Sequence, residues 1–490
     1  MSLSTFISSS RNIMRGDAGV DGDAQRIAQL TWMLFLKVYD AKEANWEIML
    51  DDYESIIPER LRWRSWAPDH KDGRSMTGDE LLIFLNEDLF PTLKTLPITE
   101  NTPLSQTIVK GVFEDSNQYM KDGILIRQLV NLINEINFDD YADLHAFGEI
   151  YETLLKELQS AGSSGEYYTP RAVTDFMIKM LNPKLGERVA DFAAGTSGFL
   201  TSALKHLDTQ VESVEDREKF QNAVFGIEKK PMPYLLGVTN LLLHDVDEPA
   251  FFHGNSLSRN VREYKEHEKF EVIAMNPPYG GTEQEAVKAN FPQAFRSSET
   301  ADLFVALITY RLKKNGRAGV VLPDGFLFGS DGAKLALKER LIKEFNLHTI
   351  IRLPGSVFSP YTSIATNLLF FDKTHPTKDV WFYRVGKPEG YKNFSKTKPL
   401  LLEHLQPAMD WWSSREEISD ADGNPKAKRY SAQEIIDGGY NLDLCGFPQA
   451  STEVLSPAET IANYKTRRAE LDAQIDAQIA LIESLLAVKE

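Results

Sequence analysis

Residues 270–281 read Phe-Glu-Val-Ile-Ala-Met-Asn-Pro-Pro-Tyr-Gly-Gly, and they constrain the fold more than any other stretch. Val272, Ile273, Ala274 and Met275 form an unbroken apolar run rich in β-formers, the pattern of a strand buried on both faces. Such a strand belongs to a sheet covered by helices on each side. Pro277 and Pro278 then stop it, because neither can donate to a ladder and each ring fixes φ. The strand therefore delivers Asn276, Pro277, Pro278 and Tyr279 to its carboxyl end as a stiff loop. In open α/β sheets that edge is where ligands bind.

The loop's chemistry follows from its donors and acceptors. The peptide at Pro277 has no N–H and offers only a carbonyl, and Asn276 adds a side-chain carbonyl beside it. Two acceptors held together suit a planar –NH₂ group such as adenine N6, whose lone pair is delocalised into its ring. Hydrogen bonds to both hydrogens favour a pyramidal nitrogen and free that lone pair for attack. Tyr279 supplies a face for a flat ring, worth about 1–3 kcal/mol per stacked base. This is positioning plus electrostatic stabilisation and needs no strong base. The same four residues also read as a plain turn with a surface tyrosine, so the rest of the chain must discriminate.

A second signal lies at residues 188–200. A short strand ending at Asp191 is followed by the small-residue turn Ala193-Ala194-Gly195-Thr196-Ser197-Gly198 and a helix starting near 197–199. Gly195 permits the sharp turn and Gly198 a close approach of backbone to ligand. The Gly-x-Gly-x-x-Gly dinucleotide fingerprint is absent, since Ala193 replaces its first glycine, and no phosphate loop of the Walker type occurs anywhere in the chain. An acidic Asp191 at the strand end repels a pyrophosphate and suits a cationic, amino-acid-like ligand such as S-adenosylmethionine. A further strand at 223–228 ends in Glu228, at the spacing where a carboxylate meets ribose hydroxyls in nucleotide-binding α/β folds. A strand at 251–257 brings Asn255 to the position that reads a cofactor adenine. His253 and the pair His244-Asp245 read as structural, and no metal site is expected.

The remaining periodicity fills in the architecture. Strands are expected at 319–323, 349–353, 367–371 and 380–385, with an amphipathic helix at 301–314. Alternating strands and helices imply an α/β, doubly wound and mostly parallel sheet. Residues 1–160 read as all-α: Ile27, Leu30, Leu34 and Val38 recur at helical spacing, as do Leu125, Leu129, Leu132, Ile133 and Ile136, and a third helix is expected at 142–159. Trp32, Trp46, Trp63 and Trp66 read as its core. Ala161-Gly-Ser-Ser-Gly165 marks a boundary, followed by Glu166-Tyr167-Tyr168-Thr169-Pro170-Arg171, with Pro170 at the first position of a helix and two tyrosines available for an aromatic wall. The polar stretch 280–300, with Lys288 and Arg296, reads either as a loop closing over DNA or as a solvated insertion. Residues 376–450 carry only a weak pattern. From Pro457 onward one long helix places Ile461, Tyr464, Leu471, Ile475, Ile479, Ile482 and Leu485 down one side, a seam for another chain or for its own domain. Three regions follow: 1–160, 161–450 and 451–490.

Composition bounds the setting. With 490 residues, 42% of them hydrophobic, two to four domains with true cores are expected. A single cysteine, Cys445, excludes a disulfide framework and fits a reducing compartment. There is no apolar signal core at the amino terminus, and clusters such as 33–36 are too short to span a bilayer, so a soluble cytoplasmic protein is expected. The formal charge of −17 argues against a binder that grips nucleic acid with its whole surface, because such grip comes largely from Lys and Arg. Action on DNA then requires either a local basic face or a partner that supplies the grip.

Together these residues resemble an amino-group DNA methyltransferase, and more narrowly the modification (M) subunit of a type I restriction–modification enzyme. The likeness covers essentially the whole chain; the Tyr-Tyr-Thr-Pro-Arg stretch ahead of the Ala-Gly-Thr-Ser-Gly turn is specific to this group, whereas Asn-Pro-Pro-Tyr is shared with methylases of protein glutamine. The resemblance implies a methyltransferase fold, N6-adenine methylation of double-stranded DNA and S-adenosylmethionine as donor. It implies that Glu166, Tyr167, Tyr168, Thr169, Pro170, Arg171, Asp191, Ala193, Gly195, Thr196, Ser197, Gly198, Glu228 and Asn255 hold the cofactor. Asn276, Pro277, Pro278 and Tyr279 would hold a flipped adenine. As partners it implies a separate specificity (S) subunit that reads the site, a second M subunit, and a restriction (R) subunit in the full complex. Two departures stand out: the turn is Asp-Phe-Ala-Ala-Gly rather than a fuller glycine pattern, and Asn255 occupies a position where the family often has Asp. A stand-alone adenine methylase and a non-catalytic assembly scaffold are the competing readings.

Overall fold

The apolar run at 272–275 lies in the centre of a ten-stranded sheet. The computed structural model describes residues 3–69, 75–136, 169–359, 364–395, 397–448 and 457–487, and these fall into two units, Met1–Gly446 and Phe447–Glu490. In chain order the strands are β1 (Val189–Asp191), β2 (Val224–Glu228), β3 (Ala250–His253), β4 (Phe270–Met275), β5 (Leu312–Pro323), β6 (Asn346–Arg352), β7 (Thr366–Asp372), β8 (Asp379–Arg384), β9 (Ile418–Ser419) and β10 (Pro425–Ser431). Across the sheet they are ordered β3-β2-β1-β4-β5-β7-β6-β8-β10-β9. The first five in that order are mutually parallel. β7 runs antiparallel between β5 and β6, while β6 and β8 pair in parallel. β10 and β9 extend that side in antiparallel fashion.

The two-faced burial read from the sequence is present residue by residue. Val272 and Ala274 point into one core, shared with the helices Arg171–Leu181, Gly198–Asp208 and Pro231–Leu243. Ile273 and Met275 point into the other, shared with Thr300–Arg311 and Gly332–Lys343. All four side chains are fully buried, and burying Val272, Ile273 and Met275 stabilises by about 1.5–3 kcal/mol each. The sheet is thus doubly wound, with helices on both faces.

The amino-terminal helices, including Leu3–Arg15, Asp23–Met49, Leu104–Glu114 and Gly123–Asn134, continue the first of these cores. Trp32, Trp46, Trp63 and Trp66 are buried in it, as their spacing predicts, and Trp32 meets the edge of Phe90 at 5.0 Å. Asp122 caps the Gly123–Asn134 helix by accepting from the amides of Ile124 and Leu125. Lys42 reaches Asp245 at 2.8 Å and Asp247 at 3.3 Å, joining this segment to the end of the Pro231–Leu243 helix. The helix expected at 142–159 and the boundary at 161–165 lie outside the described residues.

Four expectations change. The helix expected at 301–314 is Thr300–Arg311, because Leu312 already pairs with Phe270 as the start of β5. Asn315 at φ +63° then makes a bulge that shifts the register before Arg317 meets Val272. Pro170 precedes its helix rather than opening it, with its carbonyl accepting from Val173 and Thr174. The strand read at 251–257 ends at His253, and Asn255 lies in the following turn, its Oδ1 accepting from the Leu257 amide. Finally, β9 and β10 lie within the weakly patterned 376–450 region, where the sequence reads no strand beyond 380–385. Of the β10 side chains only Ala427 is buried, so burial left no alternation there to read.

Pro457–Ala487 is a single helix of 31 residues, about 46 Å long at 1.5 Å per residue. Ile461, Tyr464, Leu471, Ile475 and Ile479 are all roughly half exposed on it.

Gly226 in β2 is closely packed on one face of the sheet. A Cβ there would lie 2.3 Å from Phe251 Cδ2 and 2.9 Å from Leu200 Cδ1. Gly226→Ala is expected to destabilise the protein by about 1–3 kcal/mol, read as a lower urea midpoint; an unchanged midpoint would contradict this packing.

Candidate active site

Because β2, β1 and β4 are adjacent and parallel, their carboxyl ends emerge together at one edge of the sheet. β2 ends in Glu228, β1 in Asp191, and β4 runs directly into Asn276. At about 4.8 Å between strands, these three side chains span roughly 10 Å. Residues far apart in the chain therefore form one cleft.

The turn after β1 is held in shape from several directions. Glu228 accepts the Gly195 amide at 2.8 Å through Oε2 and the Lys230 amide at 2.7 Å through Oε1. Asn240 donates to the Thr196 carbonyl at 3.0 Å, and Ser256 Oγ to the Phe192 carbonyl at 2.5 Å. Gly195 sits at φ +53° with open space where a Cβ would go, as the sharp turn requires. Ser197 shares the left-handed conformation at φ +66° and is buried, its Oγ without a partner among the described residues and its side chain close to Gly237. Ala193 donates its amide to Asp191 Oδ1 at 3.0 Å. Asn240 and Ser256 were not singled out in the sequence; the trace Asn240 leaves there is a polar side chain, next to Thr239, in the otherwise apolar 235–243 stretch of the Pro231–Leu243 helix.

Gly198 lies against the Arg171 side chain. A Cβ at this position would lie 2.7 Å from Arg171 Nη1, so the close approach is that of the guanidinium. Arg171 also donates to Thr201 Oγ1 at 3.3 Å, within the first turn of the Gly198–Asp208 helix. A cation beside the positive end of a helix dipole favours an anion at the same place.

Asp191 lies at the opposite electrostatic extreme. It is only 1% exposed, and burial pushes its carboxyl up to about 8, with the neighbouring Glu228 adding to the rise and the Ala193 amide opposing it. Two carboxyl groups at adjacent strand ends, Asp191 holding its proton until a charge stabilises its ionised form, make an edge whose chemistry suits a cationic group.

At the end of β4 the Asn276 amide is engaged at both ends. Its Nδ2 donates to Thr169 Oγ1 at 3.0 Å, and its Oδ1 accepts from the Tyr279 hydroxyl. That hydroxyl also lies 3.2 Å from the Val321 carbonyl on β5. The Pro277 carbonyl accepts no hydrogen bond among the described residues. Pro277 is buried and Pro278 exposed, which turns the loop sharply off the sheet. The Tyr279 ring is half-buried against both cores, with its hydroxyl on Asn276. Of the Glu166–Arg171 stretch, Thr169, Pro170 and Arg171 are at this cleft, whereas Glu166, Tyr167 and Tyr168 lie outside the described residues. Asn255 follows β3, next to β2 on the same edge, and its Oδ1 serves its own turn.

Asp191 makes stability depend on pH. Folded, it keeps its proton up to about pH 8; unfolded, an aspartate ionises near 3.9. Between those limits the unfolded chain has released a proton that the folded chain retains. Without ligand, stability should therefore fall as pH rises from about 4 to about 8 and level off above. Asp191→Asn keeps an acceptor for the Ala193 amide and removes the titration. Its gain in urea midpoint over wild type should grow from pH 5 to pH 8; an equal gain at both would contradict a buried, protonated Asp191.

Comparison with known proteins gives a consistent result. Residues 142–454 match the family described as N-6 DNA Methylase, and residues 3–133 match the HsdM N-terminal domain. The chain is 48% identical over 476 residues to the type I restriction enzyme EcoEI methylase subunit of Escherichia coli, covering 96% of each. Among solved structures, a chain from Vibrio vulnificus YJ016 described as a type I modification subunit aligns with TM-score 0.78 at 41% identity, over 88% of this chain and 92% of that one. A chain from a study of complex assembly and conformational transition in a type I restriction–modification system aligns with TM-score 0.80 at 33% identity, covering 98% of both.

Proposed function

This chain belongs to the N-6 DNA methylase family, among the methylase subunits of type I restriction enzymes, and we propose that its Asn276–Tyr279 loop holds N6 of a flipped adenine in DNA for methylation. The observation that carries this reading is the common edge on which Asn276 and the Pro277 carbonyl stand beside the Asp191–Gly198 turn. Asn276 Oδ1 and the Pro277 carbonyl take the two amine hydrogens, localising the lone pair on nitrogen. Tyr279, released from Asn276, stacks on the extruded ring and offsets part of the few kcal/mol that unstacking costs.

The donor chemistry that fits the cleft is S-adenosylmethionine, which when bound supplies an electrophilic methyl group on a sulfonium. Asp191 and Glu228 suit its positive charges and its ribose hydroxyls. Arg171, with the amino end of the Gly198–Asp208 helix, suits its carboxylate. Gly195, Thr196 and Ser197 shape the turn it lies against, and Ala193 and Asn255 flank it. Glu166, Tyr167 and Tyr168 complete the wall by family resemblance.

The net charge of −17 is reconciled by division of labour: a specificity subunit reads the DNA and supplies much of the grip, with a second copy of this chain and a restriction subunit in the full complex. Residues 1–160 and 451–490 serve assembly around the catalytic region 161–450, and the cytoplasm is where such a complex meets its DNA. Among the described residues no helix is long and apolar enough to cross a membrane.

Asn276→Ala, assembled with a specificity subunit, should lose methyl transfer to DNA by about 10²–10³-fold while S-adenosylhomocysteine still binds by calorimetry. Full activity in that variant would remove the mechanism. Independently, Leu471→Asp with Ile475→Asp on the terminal helix should abolish co-purification with the specificity subunit and leave S-adenosylhomocysteine affinity unchanged; retained co-purification would exclude that helix from assembly.

A further inference from the structure

Thr169 belongs by sequence to the stretch expected to hold the cofactor, yet the contact its side chain makes is with Asn276, 107 residues away. An amide side chain has two orientations of nearly equal shape, related by a half-turn that exchanges Oδ1 and Nδ2. Only the one presenting Oδ1 can accept from an exocyclic amine, which carries hydrogens and no usable lone pair. The groups around Asn276 decide which orientation prevails.

In the structure the amide sits between two hydroxyls, Thr169 on the nitrogen side and Tyr279 on the oxygen side. Hydroxyls both donate and accept, so either arrangement can be satisfied while both are in place. The Val321 carbonyl, 3.2 Å from the Tyr279 oxygen, offers that hydroxyl an alternative acceptor. Once a base occupies the loop and Tyr279 stacks on it, Thr169 is the remaining partner among the described residues. The amide must then keep Nδ2 on Thr169 Oγ1 in order to offer Oδ1 to the amine.

Thr169 is well placed to act this way. Pro170 follows it, which restricts Thr169 to extended backbone. The Pro170 carbonyl is tied into the first turn of the Arg171–Leu181 helix by the amides of Val173 at 2.8 Å and Thr174 at 3.2 Å. The β-branched side chain has few rotamers of its own. The hydroxyl therefore stands on a fixed support facing the end of β4.

We propose that Thr169 is a positioning residue for Asn276, its hydroxyl accepting from Nδ2 so that the carbonyl of the amide faces the target amine. This deepens the reading of the loop as an adenine site and rests on it. Without the hydroxyl, Nδ2 loses its partner and the amide is free to turn its donors toward an amine that can only repel them.

The test uses the full chain assembled with a specificity subunit, comparing wild type, Thr169→Val and Thr169→Ser. Thr169→Val is nearly isosteric and lacks the hydroxyl; Thr169→Ser keeps it. Single-turnover methylation of a DNA substrate at saturating S-adenosylmethionine should slow at least tenfold in Thr169→Val and stay within about threefold of wild type in Thr169→Ser. The dissociation constant for S-adenosylhomocysteine, measured by calorimetry, should stay within about twofold in both. A wild-type rate in Thr169→Val, or Thr169→Ser as slow as Thr169→Val, overturns the proposal alone. A slower rate in Thr169→Val matched by an equal loss of S-adenosylhomocysteine affinity also overturns it, making Thr169 a cofactor ligand instead. A wild-type complex that transfers no methyl group to adenine overturns the reading of the site, and this proposal with it.

Discussion

A strand with apolar side chains on both faces must stay between two helical layers, and it can meet solvent only at its ends. β4 is such a strand, and everything at the candidate site is arranged around the point where it stops. Val272 and Ala274 anchor it in one core, Ile273 and Met275 in the other. The two prolines after Asn276 prevent the ladder from continuing. The amide is thus fixed in height and direction by burial several residues away, which gives a loop the precision of a sheet. Positioning to within a fraction of an ångström is what hydrogen-bond catalysis requires.

The other half of the cleft carries an electrostatic load that folding alone does not favour. Asp191 is sealed from water next to Glu228, and its carboxyl is neutral well above the normal range. Arg171 is held against the amino end of a helix, where a cation gains nothing from the dipole. Acidic side chains at two strand ends and a cation at a helix amino end make a charge pattern that suits a zwitterionic ligand. Local rules are broken here and kept elsewhere, which is how functional sites commonly differ from their scaffold.

The loop and the cleft are joined by few contacts. Thr169 ties Asn276 to the start of the Arg171–Leu181 helix, and Tyr279 ties it to β5 through the Val321 carbonyl. Tyr279 itself is half-buried between the two cores. A net charge of −17 leaves the surface of this chain, taken as a whole, poorly suited to capture DNA by itself.

What the sequence determined by itself was the set of local commands: buried strands at β1, β2, β4 and β7, the proline stop, the turn at Gly195, the acidic strand ends, and a helical first third with its tryptophans inside. Each is written in neighbouring residues, through period, φ restriction or side-chain chemistry, and so can be read without long-range information. The polar strand β10 was illegible because only Ala427 faces inward, and the start of β5 was masked by apolar spacing that suited the preceding helix equally well. Tertiary structure decided how distant pieces meet: that Gly198 makes room for Arg171, that Glu228 holds the Gly195 turn, and that Asn276 rests on Thr169 and not on solvent. Those contacts join residues tens to more than a hundred positions apart, and only the order and direction of strands across the sheet brings them within hydrogen-bonding distance.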